Sequence, residues 1–369
     1  MKKTILYIQN RFGLGGINRI TSIKENYLVN HGYEVHHLNA LDEEGFTSRG
    51  MYDDKIIIHA ISLKKLNRLR AIPIIGIILR FVYSRFKMLY LIYSLNPDFI
   101  IVNMLGLEPL LVLVMTFWKK RILEVHGWFN GREINEITPK EKYYFDTTFP
   151  FYRVIALTER EANHIQLLSG SRVNHIPNPI SLFPENFSDC TSKRVISIAR
   201  FSYKKNLDKI LPYWKNVQDV HPDWELHFYG EGPNEPTMRK IISELNLTTV
   251  YIHPYTKDIE SVLLQSSIFI LPSFSEGFPL VLLESMAAGI PCVAYDCPCG
   301  PAEIIQNNED GFVTEYQNPQ SMMDKVVYLI EHDDVRKEMG EKARVNIQRY
   351  NLDEIMGKWI QIFEGQKSI

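Results

Sequence analysis

The sequence predicts an α/β protein made of two parallel-sheet domains in tandem. Its 369 residues suit two or three domains of ordinary size. Short β-branched runs alternate with longer stretches of helical periodicity, the pattern of parallel strands covered by helices on both faces. A stretch bearing Pro, Asn and Ser, from Pro177-Asn178-Pro179 to Ser192, interrupts this alternation, which then restarts.

In the first half, Thr4 to Gln9 reads as a strand, followed by a glycine-bearing loop and a helix from Ile17 to Asn30. His31-Gly32 stops that helix before a strand from Tyr33 to Leu38. Further strands are expected at Phe99 to Val102, Arg121 to Val125, Arg153 to Ala156 and His175-Ile176. The second half opens with a strand at Arg194 to Ala199. A helix follows with Leu207, Ile210, Leu211, Trp214 and Val217 along one face. Strands recur at Glu225 to Tyr229, Val250 to His253, Ile268 to Leu271 and Pro291 to Ala294. No internal repeat is visible. The expected division is residues 1–180, residues 190–350 with a hinge near 178–193, and a final helix within 351–369. That helix has Ile355, Met356, Trp359 and Ile362 as its apolar set and is expected to cross back onto the first domain.

Hydrophobic residues make up 45% and charged residues 23%, enough for two cores without staples and too apolar for disorder. Lys and Arg number 41 against 43 acids, a net charge of −2, so the balance carries no nucleic-acid footprint. Cys190, Cys292, Cys297 and Cys299 lack zinc-site spacing and read as free thiols of a reducing, cytoplasmic compartment. Ile5 to Ile8 is too short for a signal-peptide core, and no 18-residue apolar run suggests a membrane span.

The densest chemical signal is Phe274-Ser275-Glu276-Gly277-Phe278-Pro279-Leu280-Val281-Leu282-Leu283-Glu284. Pro279 suits a first helical position and Gly289 a helix stop, so Glu276 falls in a loop and Glu284 inside the helix. First-turn amides facing that loop favour an anionic phosphate, with an acid on either side to grip hydroxyls. The bland reading is a solvated helix end with two incidental acids.

This segment resembles the E-x7-E signature of retaining glycosyltransferases of family 4, and Ser285-Met286-Ala287-Ala288-Gly289-Ile290-Pro291 is similar to the family's continuation. The resemblance implies a GT-B architecture, two Rossmann-like domains facing each other across a deep cleft. It implies that Glu276 touches the donor sugar, that Glu284 holds the ribose, and that the backbone of Gly277, Phe278, Pro279, Leu280 and Val281 contacts sugar and phosphate. Arg200 and Lys205, in Ile198-Ala199-Arg200-Phe201-Ser202-Tyr203-Lys204-Lys205-Asn206, fit the family's two diphosphate-binding cations, although Ala199 stands where many relatives have Gly. Cations there neutralise a departing diphosphate, work a metal would otherwise do, so neither metal nor cofactor is expected.

Gly13-Leu14-Gly15-Gly16 fails the dinucleotide spacing, since Asn18 stands where the third Gly should be. It resembles the family's Gly-Gly loop, which implies that Gly15 and Gly16 lie near the donor phosphates, with Arg19 a capping or packing residue. His126 matches a family His that binds sugar hydroxyls, though a lone His is more often structural. Thr158-Glu159 and Asn178 match family positions without a firm task, and Tyr255 is expected near the base. Gly300-Pro301 reads as a structural turn.

The function implied is transfer of a hexosyl group, UDP-sugar donor preferred, to a saccharide or lipid-linked saccharide with retention, in bacterial cell-surface polysaccharide synthesis. The alternatives are a sugar-nucleotide epimerase on a similar fold and a non-enzymatic two-lobed binding protein. Residues 63–93 carry Lys64, Lys65, Arg68, Arg70, Arg80, Arg85 and Lys87 with no acid, among many apolar residues. They read either as a helix lying on an anionic membrane, making the enzyme peripheral at the inner face, or as core helices with solvated cations.

Overall fold

A computed structural model of the chain describes residues 2–9, 15–39, 49–61, 73–103, 116, 118–127, 152–169 and 173–366. Gly13, Leu14, Lys64, Lys65, Arg68 and Arg70 lie outside these, as does the Arg80 side chain. The chain forms two compact units. Among the described residues, one unit comprises those up to Pro177 together with 356–366, and the other holds Asn178–Ile355.

The first unit contains a seven-stranded sheet ordered β3-β2-β1-β4-β5-β6-β7. Its strands are β1 (Thr4–Gln9), β2 (Glu34–Asn39), β3 (Ile57–Ala60), β4 (Phe99–Val102), β5 (Lys120–Val125), β6 (Arg153–Ala156) and β7 (Val173–His175). All pairings are parallel. Helices Gly16–Asn30, Pro73–Leu95 and Glu159–Ser169 are described with it. Thr158 caps the last of these, its Oγ1 accepting the Glu161 amide at 3.1 Å, an N-cap role of the T-x-x-E pattern.

The second unit holds a six-stranded parallel sheet ordered β10-β9-β8-β11-β12-β13. The strands are β8 (Arg194–Ile198), β9 (Glu225–Tyr229), β10 (Val250–His253), β11 (Ile268–Leu271), β12 (Cys292–Tyr295) and β13 (Gly311–Thr314). Leu207, Ile210, Leu211, Trp214 and Val217 are all buried in its core, carried by a 3-10 turn at Leu207–Lys209 and the helix Leu211–Val220. In each sheet the order reverses beside the first strand, at β1/β4 and β8/β11, the switch points of doubly wound sheets.

Three expectations change. The stretch 178–193 is built into the second unit: Ile180 N–H bonds Tyr350 O at 2.8 Å, Ser188 N–H bonds Ala288 O at 2.8 Å, and Arg336 Nε bonds Cys190 O at 3.0 Å. Its Pro and Asn content makes loop backbone, but side chains and carbonyls tie that loop down. β3 and β13 are additional strands of four residues each. The helix near Pro279 starts at Leu280, with Pro279 at the N-cap in extended conformation.

A repeat invisible in the sequence emerges in space. Glu34 and His36 on β2 face His59 on β3 as Glu225 and His227 on β9 face His253 on β10. In both, Nδ1 of the first His lies 2.9 Å from Nε2 of the second, and its Nε2 faces the carboxylate at 3.2 and 2.9 Å. The two second histidines also sit at one register, His59 opposite Leu38 and His253 opposite Tyr229. Intervening loops of different length hide the repeat from linear spacing.

The final helix, Leu352–Phe363, leaves the second unit and ends in the first. There Phe363 packs against Phe99 and Tyr33, at ring-centroid distances of 5.0 and 5.7 Å. Lys3 Nζ bonds Glu364 Oε2 at 2.6 Å, and Tyr33 Oη donates to Glu364 Oε1 at 2.9 Å.

Candidate active site

In the second unit, the chain leaves β8 through Ala199 and Arg200 and turns through the 3-10 segment Tyr203–Lys205. Asn206 ends that turn in the left-handed conformation, at φ 57°. Lys205 Nζ donates to Glu276 Oε1 at 2.6 Å, and Glu276 lies in the loop after β11. Since β8 and β11 are neighbours, these residues meet at the switch point, where open α/β sheets bind ligands. The loops are also fastened by backbone, Phe274 N–H to Lys204 O at 2.8 Å, with Tyr203 and Phe274 rings 5.2 Å apart. Arg200 is exposed and has no ion-pair partner among the described residues.

Two glycines that sequence reasoning passed over shape this loop. Gly230 and Gly232 follow β9 with φ of 150° and 153°. A Cβ on Gly230 would stand 1.9 Å from Ala199 O, and one on Gly232 2.3 Å from Phe201 O. Only hydrogen fits at either place. The Arg200 turn is therefore moulded against Gly230-Glu231-Gly232, with Phe201 N–H bonded to Glu231 O at 2.8 Å. The Gly-x-Gly-Pro run after a strand was the available signal.

The helix Leu280–Ala287 follows Glu276, and among the described residues no side-chain hydrogen bond caps its N-terminus. It closes in a Schellman arrangement: Ile290 N–H bonds Ser285 O at 3.1 Å, Gly289 N–H bonds Met286 O at 3.0 Å, and Gly289 has φ 76°. Glu284 is 1% exposed, and Ser181 Oγ donates to its Oε1 at 2.5 Å. The Phe278 and Pro279 side chains are buried, Phe278 edge-on to Tyr350 at 5.5 Å, so what this segment offers a ligand is backbone. Gly300, at φ 101°, brings the next loop against Pro279, where a Cβ would lie 2.6 Å from the ring. Tyr255 is exposed in the loop after β10, an edge strand two places from β8, away from the Lys205–Glu276 contact. The four cysteines form no disulfide and are buried, and burial pushes the Cys297 thiol up to about 12, which suits inert packing.

In the first unit, Gly15 is the N-cap of the helix Gly16–Asn30 and both glycines are exposed. The Arg19 amide bonds Gly15 O at 3.2 Å in the first turn. His126 follows β5, its side chain 6% exposed and its Nε2 3.5 Å from Glu124 Oε1. Glu124 is in turn ion-paired with Lys24, both fully inside the unit. Neither was singled out by sequence reasoning. The signal was an ionic residue at apolar positions: Lys24 shares a helix face with Ile20 and Leu28, and Glu124 lies within Ile122-Leu123-Glu124-Val125.

The helix Pro73–Leu95 buries Met88 and Ile92 in the first unit's core and exposes Leu79, Val82, Phe86, Tyr90 and Tyr93 along one stripe. Arg85, expected on the surface, is buried, its Nη1 2.5 Å from Ser84 Oγ. It lies near the buried Met88 on the helix rather than on the exposed stripe. No helix among the described residues is long and apolar enough to cross a membrane.

Two doubly wound α/β units, one with cations and an acid gathered at its switch point, define a protein of the GT-B fold. Residues 181–346 match the model of the family described as Glycosyl transferases group 1. A glycosyltransferase of Haemophilus influenzae is 29% identical over 97% of this chain and 99% of its own length. The amylovoran biosynthesis glycosyltransferase AmsD of Erwinia amylovora is 24% identical over 98% of this chain and 99% of its own. The solved structure of Anabaena HepE in complex with UDP superposes with a TM-score of 0.78 at 16% identity, over 99% of this chain and 100% of that one, a similarity of fold. The epimerase reading finds no support among these relatives.

Proposed function

We propose that the chain transfers a hexosyl group from a UDP-sugar to a saccharide or lipid-linked saccharide acceptor, with retention of configuration, in the assembly of a bacterial cell-surface polysaccharide. The observation that carries this reading is the Lys205–Glu276 contact at the β8/β11 switch point, beside an uncapped helix N-terminus. The relative named for amylovoran biosynthesis and the neighbour solved with UDP support the acceptor class and the base.

In this reading the diphosphate lies against the first-turn amides of Leu280–Ala287, with Arg200 and Lys205 neutralising the charge that grows as the sugar bond breaks. Lys205 has three N–H donors and gives one to Glu276, so two remain for phosphate oxygens. Glu276 orients the donor sugar and Glu284 the ribose, while Gly15 and Gly16 approach the phosphates and His126 binds sugar hydroxyls. A leaving phosphate oxygen takes the acceptor proton on the same face, which preserves the anomeric configuration. Two cations and a helix end do the work of a metal, so the reaction runs without one.

The acceptor side involves the cytoplasmic membrane. The stripe of Leu79, Val82, Phe86, Tyr90 and Tyr93, with exposed Lys87 on the same helix, suits a peripheral contact with anionic lipid. Tyr255 is the candidate for the base.

Thermal-shift measurement against UDP-, GDP- and ADP-sugars tests the donor, because a ligand raises stability with the logarithm of its saturation. Stabilisation by the UDP series alone is expected; stabilisation by GDP- or ADP-sugars alone overturns the base. The anomer of the product, read by NMR, decides retention.

A further inference from the structure

His126 does not stand alone. Behind it, inside the first unit, Glu124 Oε1 lies 3.5 Å from Nε2 and is ion-paired with Lys24. Lys24 Nζ lies 5.2 Å from the centroid of Trp359, which the final helix brings back from the second unit. Lys24, Glu124 and Trp359 are all at most 1% exposed. Tyr7 and Glu25 are buried in the same region, and burial followed by Glu124 and Glu25 pushes the Tyr7 phenol up. Burial alone would raise the Glu124 carboxyl, but Lys24 and then His126 outweigh it and hold it well below the usual range.

A buried ion pair is a poor stabiliser. Desolvating both charges costs about what their attraction returns, and apolar residues of the same volume often do as well or better. The pair therefore calls for another role. Its geometry supplies one: Glu124 Oε1 lies 3.5 Å from the buried Nε2 of the histidine just past β5, an ion-pair distance, and Nε2 has no hydrogen-bond partner among the described residues. A carboxylate behind an imidazole draws the ring proton to the facing nitrogen and fixes the orientation of the other.

We propose that Glu124 is a positioning residue for His126, an acceptor facing Nε2 whose buried charge Lys24 neutralises, so that the ring keeps its proton on Nε2 and offers Nδ1 to the donor sugar. This rests on the reading of His126 as a group that meets the donor. Nδ1 then accepts a hydrogen bond from a sugar hydroxyl, and no bond to the protein is made or broken. The return of the final helix gains a purpose beyond covering the core, since Trp359 closes the far side of the Lys24 site.

Two double variants of the whole chain test the proposal, K24M/E124Q and K24M/E124M. Both remove the buried charges together, so neither leaves one unpaired. The glutamine of the first variant retains an oxygen that can accept from Nε2, whereas the methionine of the second does not. The first readout is the ring 15N spectrum of histidine-labelled protein at about pH 8, above the ordinary histidine range. The second is release of UDP from UDP-glucose or UDP-N-acetylglucosamine. Wild type and K24M/E124Q are expected to keep the Nε2-protonated tautomer at His126 and similar rates. K24M/E124M is expected to lose that tautomer and about 10²-fold in kcat, the scale of a misplaced group, with the donor KM unchanged. Identical tautomer and rate in the two double variants would overturn the proposal, because a merely structural pair treats Gln and Met alike. His126→Ala separates the premises. A wild-type rate there removes His126 from the reaction while the tautomer still decides what Glu124 does. A slow His126→Ala beside a fast K24M/E124M overturns the positioning role alone.

Discussion

Lys205 Nζ donates to Glu276 Oε1 at 2.6 Å, joining the turn after β8 to the loop after β11. These residues are 71 positions apart in the chain. Adjacency of the two strands converts that separation into a hydrogen bond. In the proposed reaction each partner holds the other where a sugar diphosphate needs a cation beside an acid.

Breaking this contact should therefore slow turnover more than it weakens binding. Lys205→Ala and Arg200→Ala are expected to lower kcat by about 10²–10³-fold, the cost of one lost transition-state donor. Glu276→Gln should lower kcat with little change in the donor KM. Steady-state UDP release checks all three, and an EDTA-treated enzyme should match the untreated one. Full activity in Lys205→Ala would remove the lysine from the mechanism.

Gly230→Ala should act at a distance from Arg200 in sequence but not in space. The added Cβ would fall 1.9 Å from the Ala199 carbonyl oxygen, so the turn carrying Arg200 must move. Weaker donor binding, read by the loss of ligand-induced thermal shift, is expected together with a lowered melting temperature. Gly15→Ala provides the contrast, because no described residue lies within 4 Å of its added Cβ and stability should hold.

Trp359→Ala should destabilise the first unit although it lies near the end of the chain. The ring is 1% exposed, and truncating a buried Trp costs about 3–5 kcal/mol. Removing residues 352–369 should do more, exposing the Phe99 ring against which Phe363 packs. Urea unfolding of the variants measures both. An unchanged midpoint would show that the final helix contributes no packing.

Acid should weaken the fold through the paired histidines. His227, His253 and His59 all take up protons below their ordinary 6.5, burial being the first cause in each, so the unfolded chain binds protons before the folded one. Their stability contribution is present above about pH 6.5 and is lost as pH falls below it through the lowered folded-state values. With Nε2–H of His227 donating to Glu225, its Nδ1 can accept from His253 only while the ring is neutral. Melting temperatures should fall between about pH 7.5 and pH 5.5. A His227→Gln/His253→Gln variant should show a smaller fall.

The exposed stripe on Pro73–Leu95 predicts binding to anionic liposomes. Phe86 and Tyr93 are 69% and 79% exposed, and replacing Phe86 and Tyr90 by Ser should reduce flotation without altering UDP-sugar affinity. Charge attraction from Lys87 should fade with salt, being screened within about 8–10 Å near physiological ionic strength. Flotation indifferent to the Ser replacements would take the stripe out of the contact.

Much of this architecture was legible in the residues. Apolar periodicity located the helix face of Leu207, Ile210, Leu211, Trp214 and Val217, and β-branched runs located most strands, because local burial repeats with the pitch of the element. The Glu276–Glu284 segment was legible because its spacing is set by one loop and one helix. β3, β13 and the Glu-His-His repeat were not, since each exists through pairing between strands whose linear spacing carries no record of it. The sequence by itself determined two α/β units, the Lys205 and Glu276 positions, and a final helix with a buried Trp359. Only the tertiary structure decided that Arg85 is buried, that Gly230 moulds the Arg200 turn, and that Lys24, Glu124 and His126 form one buried group. The reason is physical. A charge placed in an apolar run costs several kcal/mol unless a partner meets it, and that partner lies on another element.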